Sequence, residues 1–165
     1  MRIFNSVLGI IFCIMFISCS DKKEQNQKIK DYDEVPQYVK MNNNRKLTDS
    51  LFKLAINNGD EKAYNNVAGN FILDENYEGL LFYSLIMANK YNSSEANFHV
   101  FLILSNSNNG KSFDELDAKT KNLALYYLAR SNELAYQSAK YSINEVLGKG
   151  SVIKKSSYYL QEYSK

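Results

Sequence analysis

"GDEKAYNNVAGNF", residues 59–71, sets Ala63, Val67 and Phe71 four positions apart. Side chains at that spacing share one face of a helix, because an α-helix turns once in about 3.6 residues. The alanine at the head lets a neighbouring helix come close, and the larger residues fill the space below. The same order returns in "NSSEANFHVFLIL" (92–104), where Ala96, Val100 and Leu104 each stand 33 positions further on. A third set, Ala135, Ala139 and Ile143, follows 39 positions later. Self-similarity at such a period is the signature of stacked helical units.

The segments between the trios are helical in another way. "YEGLLFYSLIMANKY" (77–91) is apolar nearly all round, which predicts a helix enclosed between layers. "KNLALYYLARSN" (121–132) aligns with it, Leu80, Phe82, Tyr83 and Leu85 matching Leu123, Leu125, Tyr126 and Leu128. An earlier helix, "TDSLFKLAINN" (48–58), stops at Gly59, a residue suited to the left-handed turn past a C-terminus. Ser112 and Glu115 of "SFDE" have the spacing of a capping box. "GKG" (148–150) interrupts the chain before a last amphipathic piece, "SSYYLQEY" (156–163). "FLIL" (101–104) has a strand's composition, but its periodic context is helical, and no segment alternates strongly enough to require a sheet. The expected fold is therefore all-α over residues 47–165. It is a short array of α-α hairpins with about five to six helices.

Composition agrees with a folded domain: 45% hydrophobic, 23% charged and a single proline. Tyrosine (13) and phenylalanine (9) replace the absent tryptophan as large core fillers. Asparagine clusters at 42–44, 57–60 and 105–110 predict turns, since short amide side chains bond their own backbone. A net charge of +2 argues against a dedicated polyanion surface, so no nucleic-acid partner is expected.

Ahead of the domain, Met1 and Arg2 form a minimal positive region and Ile3 to Ile17 an apolar run, ending in Phe16-Ile17-Ser18-Cys19. A membrane span needs about 20 apolar residues, so a removable export signal over 1–18 fits better. A small residue before cysteine, after a bulky apolar stretch, resembles the lipobox of bacterial lipoproteins, with Phe16 where leucine is usual. The resemblance implies that Cys19 is lipidated on its sulfur and becomes the first residue of the mature chain. Cys13 would leave with the signal, so Cys19 would be the only remaining thiol, unable to form an internal disulfide. Acyl chains give stable anchoring when more than one is present. Ser20 stands where an aspartate would resemble an inner-membrane retention signal, so the outer membrane of the cell envelope is the expected address. Residues 19–46 then read as the lipidated cysteine and a polar spacer with the lone Pro36, in which 32–39 is the candidate for a short helix or docked strand.

The repeats themselves resemble Sel1-like repeats, relatives of tetratricopeptide repeats. "GDEKAYNNVAGNF" is similar to their Gly–acidic–Ala opening, "YEGLLFYSLIMA" to their Tyr-Glu-x-Ala-Leu helix, and "GKGSV" (148–152) to their Gly-x-Gly-Val loop. Ala68, Phe101 and Lys140 replace the family's glycine after the central residue, and Leu80 and Leu123 stand where its alanine is usual. The resemblance implies binding of a protein or peptide rather than turnover.

No catalytic constellation is legible. His99, the only histidine, sits in "NFHVFLIL" beside core positions and is expected at the rim, bonded to a backbone carbonyl. Asp114, Glu115 and Asp117 cluster at a helix start, where carboxylates favourably meet the backbone dipole. There is no second histidine, cysteine pair or calcium-loop pattern, and "GKG" lacks the rest of a phosphate loop. Lys149, Lys154 and Lys155 read as a solvated face. The expectation is a non-enzymatic lipoprotein without cofactor or metal, held to the membrane by its lipid and engaging a protein or peptide partner. The alternative is an immunity or inhibitor lipoprotein that neutralises a secreted toxin.

Overall fold

Caps, more than propensity, set where the helices of this chain begin and end. The computed structural model describes residues 37–106 and 112–165. Cys19, the apolar run before it and the spacer to residue 36 lie outside the described residues. Within them, helix α1 spans Gln37–Asn43, α2 Arg45–Asn58, α3 Glu61–Leu73, α4 Tyr77–Tyr91 and α5 Ser94–Asn106. After a 3₁₀ turn at Phe113–Glu115 come α6 Ala118–Glu133, α7 Gln137–Leu147 and α8 Ser156–Tyr163. The described part is all-α, with eight helices rather than five to six. One of the additional elements, α1, lies inside the stretch read as spacer, packs on α3, and its Met41 carbonyl accepts the Thr48 hydroxyl at 3.2 Å.

Local chemistry explains the boundaries. Asn44, Asp60 and Asn76 accept the amides of Leu47, Ala63 and Gly79 at 3.3, 2.9 and 3.3 Å, satisfying donors that a helix start leaves open. Asp117 takes two such amides, Lys119 and Thr120, both at 3.0 Å. Gly59 ends α2 at φ +69°, and a Cβ there would stand 2.6 Å from the Tyr91 ring. Glycine is thus required twice, by backbone and by contact. The Tyr91 hydroxyl donates to the Ile56 and Asn57 carbonyls at 2.8 and 2.9 Å, so the end of α4 closes the end of α2.

Short connections pair α2 with α3, α4 with α5 and α6 with α7, and α8 packs on α6. The first helices of successive pairs also touch, α2 against α4, where Phe52 and Tyr83 stack with centroids 3.7 Å apart. Of the expected trios, Ala63, Val67 and Phe71 are buried together, as are Ala96 and Val100, with Leu104 at the margin. The third trio is corrected at its head. Ala135 is exposed and lies in a turn at φ +61°, so α7 buries only Ala139, Ser142 and Ile143. That turn repeats the one between α3 and α4. Tyr136 N–H donates to Ser131 O at 3.1 Å as Asn76 N–H does to Phe71 O at 2.9 Å, the six-to-one bond of a Schellman ending.

The enclosed helix is α5, which buries every residue from Ala96 to Phe101. α4 was expected in that role, but it buries one stripe, Leu80, Ser84, Met87 and Ala88, and leaves Phe82 60% exposed. The aligned Leu125 is buried, so the two helices match one residue out of the expected register: Leu80, Ser84 and Met87 correspond to Ala124, Leu128 and Ser131.

Candidate functional site

His99 is the first group to locate. It is not at a rim and meets no carbonyl: it is 5% exposed, and its Nδ1 lies 2.9 Å from the Tyr64 hydroxyl of α3. That hydroxyl is 2.8 Å from Ser84 Oγ of α4, which stands 3.1 Å from the Leu80 carbonyl. On the other side of the ring, Nε2 faces Glu95 Oε1 at 3.9 Å, and Glu95 in turn meets the Tyr136 hydroxyl. Burial sets the proton affinities. It lowers His99 to about 4, pushes the Tyr64 hydroxyl up, and raises Glu95 against the opposing bond from Tyr136. A polar group shut from water must find partners, and these residues satisfy one another. With Tyr64 wholly buried and His99 nearly so, the network ties α3, α4 and α5 together.

The acidic cluster is spent on structure. Asp117 caps α6 and binds the Thr120 hydroxyl at 2.6 Å, which with the Thr120 amide holds its carboxyl low. Glu115 accepts the Ser112 amide and hydroxyl at 2.7 and 3.0 Å, and is lowered by them. Asp114 faces Lys121 at 3.9 Å. Of the basic residues near the end, Lys154 lies 3.7 Å over the Tyr158 ring. No group of three or more potential metal ligands converges among the described residues. No described helix is long and apolar enough to cross a membrane.

The groups that do face solvent together lie where α4, α5, α6 and α8 meet. An open cleft of about 260 Å³ is lined there by Asn89, Asn92, Asn97, Tyr126, Arg130 and Leu160, among others. That volume is just below the range typical of small-molecule pockets, about 300–1,000 Å³, so it suits a side chain or a stretch of peptide better than an enclosed cofactor. Asn97 forms a floor: it is 1% exposed, and its Nδ2 donates to Ser93 O at 2.7 Å. An amide nitrogen fixed that way leaves the oxygen as the remaining acceptor, and no bond to it is found among the described residues. Asn92, the left-handed C-cap of α4 at φ +54°, accepts Arg130 Nη2 at 2.9 Å. Asn89 Nδ2 donates to the Tyr127 hydroxyl at 3.1 Å.

Arg130 is not a free cation. Its Nη1 is 3.3 Å from Glu133 Oε2. Glu133 also accepts the Ser156 amide and hydroxyl at 2.8 and 2.9 Å, so it serves as the N-terminal cap of α8 from another helix. Burial opposes ionisation of Glu133, but the two Ser156 bonds and Arg130 outweigh it and hold the carboxyl below its ordinary range. The cleft is therefore polar, close to charge-balanced, and supplied with both donors and acceptors.

Among the other clefts, one is lined by Arg45, Asp49, Phe52, Asn76 and Tyr83 between α2 and α4. A second lies beside the Gly148–Ser151 loop, under Val152. Neither has a buried amide at its floor. No protein-family model, curated protein or solved structure matches the chain. The class of protein is thus defined by the fold alone: an all-α array of paired helices.

Proposed function

We propose that this chain is an envelope lipoprotein, anchored through Cys19 to the outer membrane, whose helical array binds a protein or peptide in the α4–α6–α8 cleft. The observation that carries the reading is the cleft itself. Two of the helix pairs and the closing helix α8 supply its walls, and the polar groups that converge there are amides, hydroxyls and one guanidinium. Because Glu133 balances Arg130, the cleft favours neutral hydrogen-bonding groups, such as peptide amides, over a free anion. The anchor rests on the sequence alone: an apolar run, a small residue, one cysteine, then a polar spacer.

Two experiments test the two parts. Metabolic labelling with an alkyne palmitate should mark the natural chain and not Cys19→Ala; equal labelling removes the anchor. For the cleft, a photocrosslinking residue placed at Leu160, on the rim, should trap a discrete protein in native membranes. The same residue at exposed Glu145 on α7 should not. Equal capture at both positions, or capture that survives Arg130→Ala with Asn92→Ala, removes the binding reading. A secreted toxin as the trapped protein, with rescue of growth by this chain, would specify the inhibitor form of the same activity.

A further inference from the structure

The Ser84–Tyr64–His99–Glu95 file has a direction, and the direction is reversible. Each hydroxyl owns one proton, and a neutral imidazole owns one N–H. With a carboxylate 3.9 Å from Nε2, the neutral ring is best arranged with its N–H on Nε2. Nδ1 is then an acceptor, so Tyr64 donates to it across 2.9 Å and Ser84 donates to Tyr64 across 2.8 Å. A second proton on the ring makes Nδ1 a donor. Tyr64 must then turn its hydrogen toward Ser84, and Ser84 must turn its own toward the Leu80 carbonyl, 3.1 Å away. Every group is satisfied in both arrangements, and no covalent bond changes: one solvent proton is added at Nδ1 and two hydroxyls rotate.

We propose that His99 is a pH-sensing centre built into the α3–α4–α5 junction. On acidification Glu95, raised by burial, is protonated ahead of the ring and its bond to Tyr136 weakens; a proton then taken up at Nδ1 reverses the Ser84–Tyr64 file. Tyr136 sits at the N-cap position of α7 and packs on Phe98 with centroids 5.3 Å apart, so its release loosens the start of α7. The groups that face or act on the centre come from each side. α3 gives Tyr64, and its Glu61 bears on Glu95; α4 gives the Ser84 hydroxyl; α5 gives Glu95; the turn before α7 gives Tyr136. Burial is what resists the ring's charge.

The sign follows. His99 binds its proton less readily folded, at about 4, than unfolded, at 6.5, so its contribution is complete above the unfolded value and is lost as pH falls through that window. Glu95, raised by burial, acts oppositely and trims the loss. The folding equilibrium constant should therefore fall by at most about tenfold per pH unit across the window.

Because His99 is the only histidine, its ring nitrogens can be followed without assignment in the detergent-solubilised, ¹⁵N-labelled full chain. Long-range ¹H–¹⁵N spectra at neutral pH should show the Nε2–H tautomer, with a titration well to the acid side of a free histidine. Glu95→Gln should leave that titration nearly in place, since Glu95 is already protonated when the ring charges. His99→Gln should remove the acid-side fall in urea midpoint. An Nδ1–H ring at neutral pH, a titration like that of free histidine, or one that Glu95→Gln displaces strongly would each overturn the proposal. Glu95 is partly exposed, so its variant folds where Tyr64→Phe risks not doing so.

Discussion

The joint where α3, α4 and α5 meet and the joint where α8 docks on α6 solve one problem by opposite means. At the first, helices are locked by polar groups inside the core: Tyr64 and Ser84 are fully buried and His99 nearly so. At the second, the polar lock is outside, with the exposed Glu133 spanning to Ser156, while the interior contact is Tyr159 against α6. A buried hydrogen bond contributes modestly when made and costs heavily when broken on one side, whereas a surface bond is replaced by water. The inner joint is thus all-or-none in its geometry, and the outer one can open without unfolding the rest.

The largest effects should come from the apolar core behind both joints and so set the scale. Leu80 of α4 and Leu128 of α6 are each wholly buried, and Leu80→Ala or Leu128→Ala should cost about 2–5 kcal/mol in urea unfolding. Losses well below that range would show that the core repacks around either helix. Tyr64→Phe comes next. It keeps the ring but strands His99 Nδ1, while Ser84 Oγ falls back on the Leu80 carbonyl, a loss of about 1–3 kcal/mol. A neutral outcome would mean that water enters the inner joint, and the contrast would fail.

These partners mark the limit of what the chain's sequence discloses. Trios spaced by four exposed the faces of α3 and α5, and Gly59 and Ser112 with Glu115 were legible because caps need particular side chains at fixed offsets. Ala135 misled because alanine fits a helix well, yet the Schellman-type ending of α6 puts it at φ +61°. The register of α4 against α6 misled because part of the matched face is serine, Ser84 and Ser131, which a hydrophobic pattern does not count. His99 was misplaced at a rim for want of its partner: Tyr64 stands 35 positions earlier, and only the crossing of two helices joins them. The cleft was less legible still, since Asn97 and Arg130 come from different helices and look like ordinary surface residues.

Glu133→Gln tests the outer joint. The amide can still accept one Ser156 donor but not with a full charge, and the loss should be about 1 kcal/mol, as for other helix caps. Amide exchange should quicken at α8 and not at α5. Acid sharpens the contrast further. Glu133 is lowered in the fold, so its support is complete above the ordinary carboxylate range and disappears as pH drops through its folded value. The inner joint weakens earlier, between 6.5 and about 4. Exchange at α5 that changes only together with α8 would merge the two joints into one.

The smallest effect on stability should come from Arg130→Ala. Arg130 and Glu133 are 3.3 Å apart, each about one-third exposed, and such a pair contributes about 0–1 kcal/mol. Glu133 keeps its two bonds to Ser156, so α8 should stay docked. What changes is the cleft: Asn92 Oδ1 loses its donor at 2.9 Å, and the balanced charge becomes net negative. Peptide amides would then face a wall with one donor group fewer and an uncompensated carboxylate, so capture from Leu160 should fall sharply while the urea midpoint barely moves. A stability loss comparable to Tyr64→Phe would place Arg130 in the architecture instead, and would shift the binding surface to another part of the array.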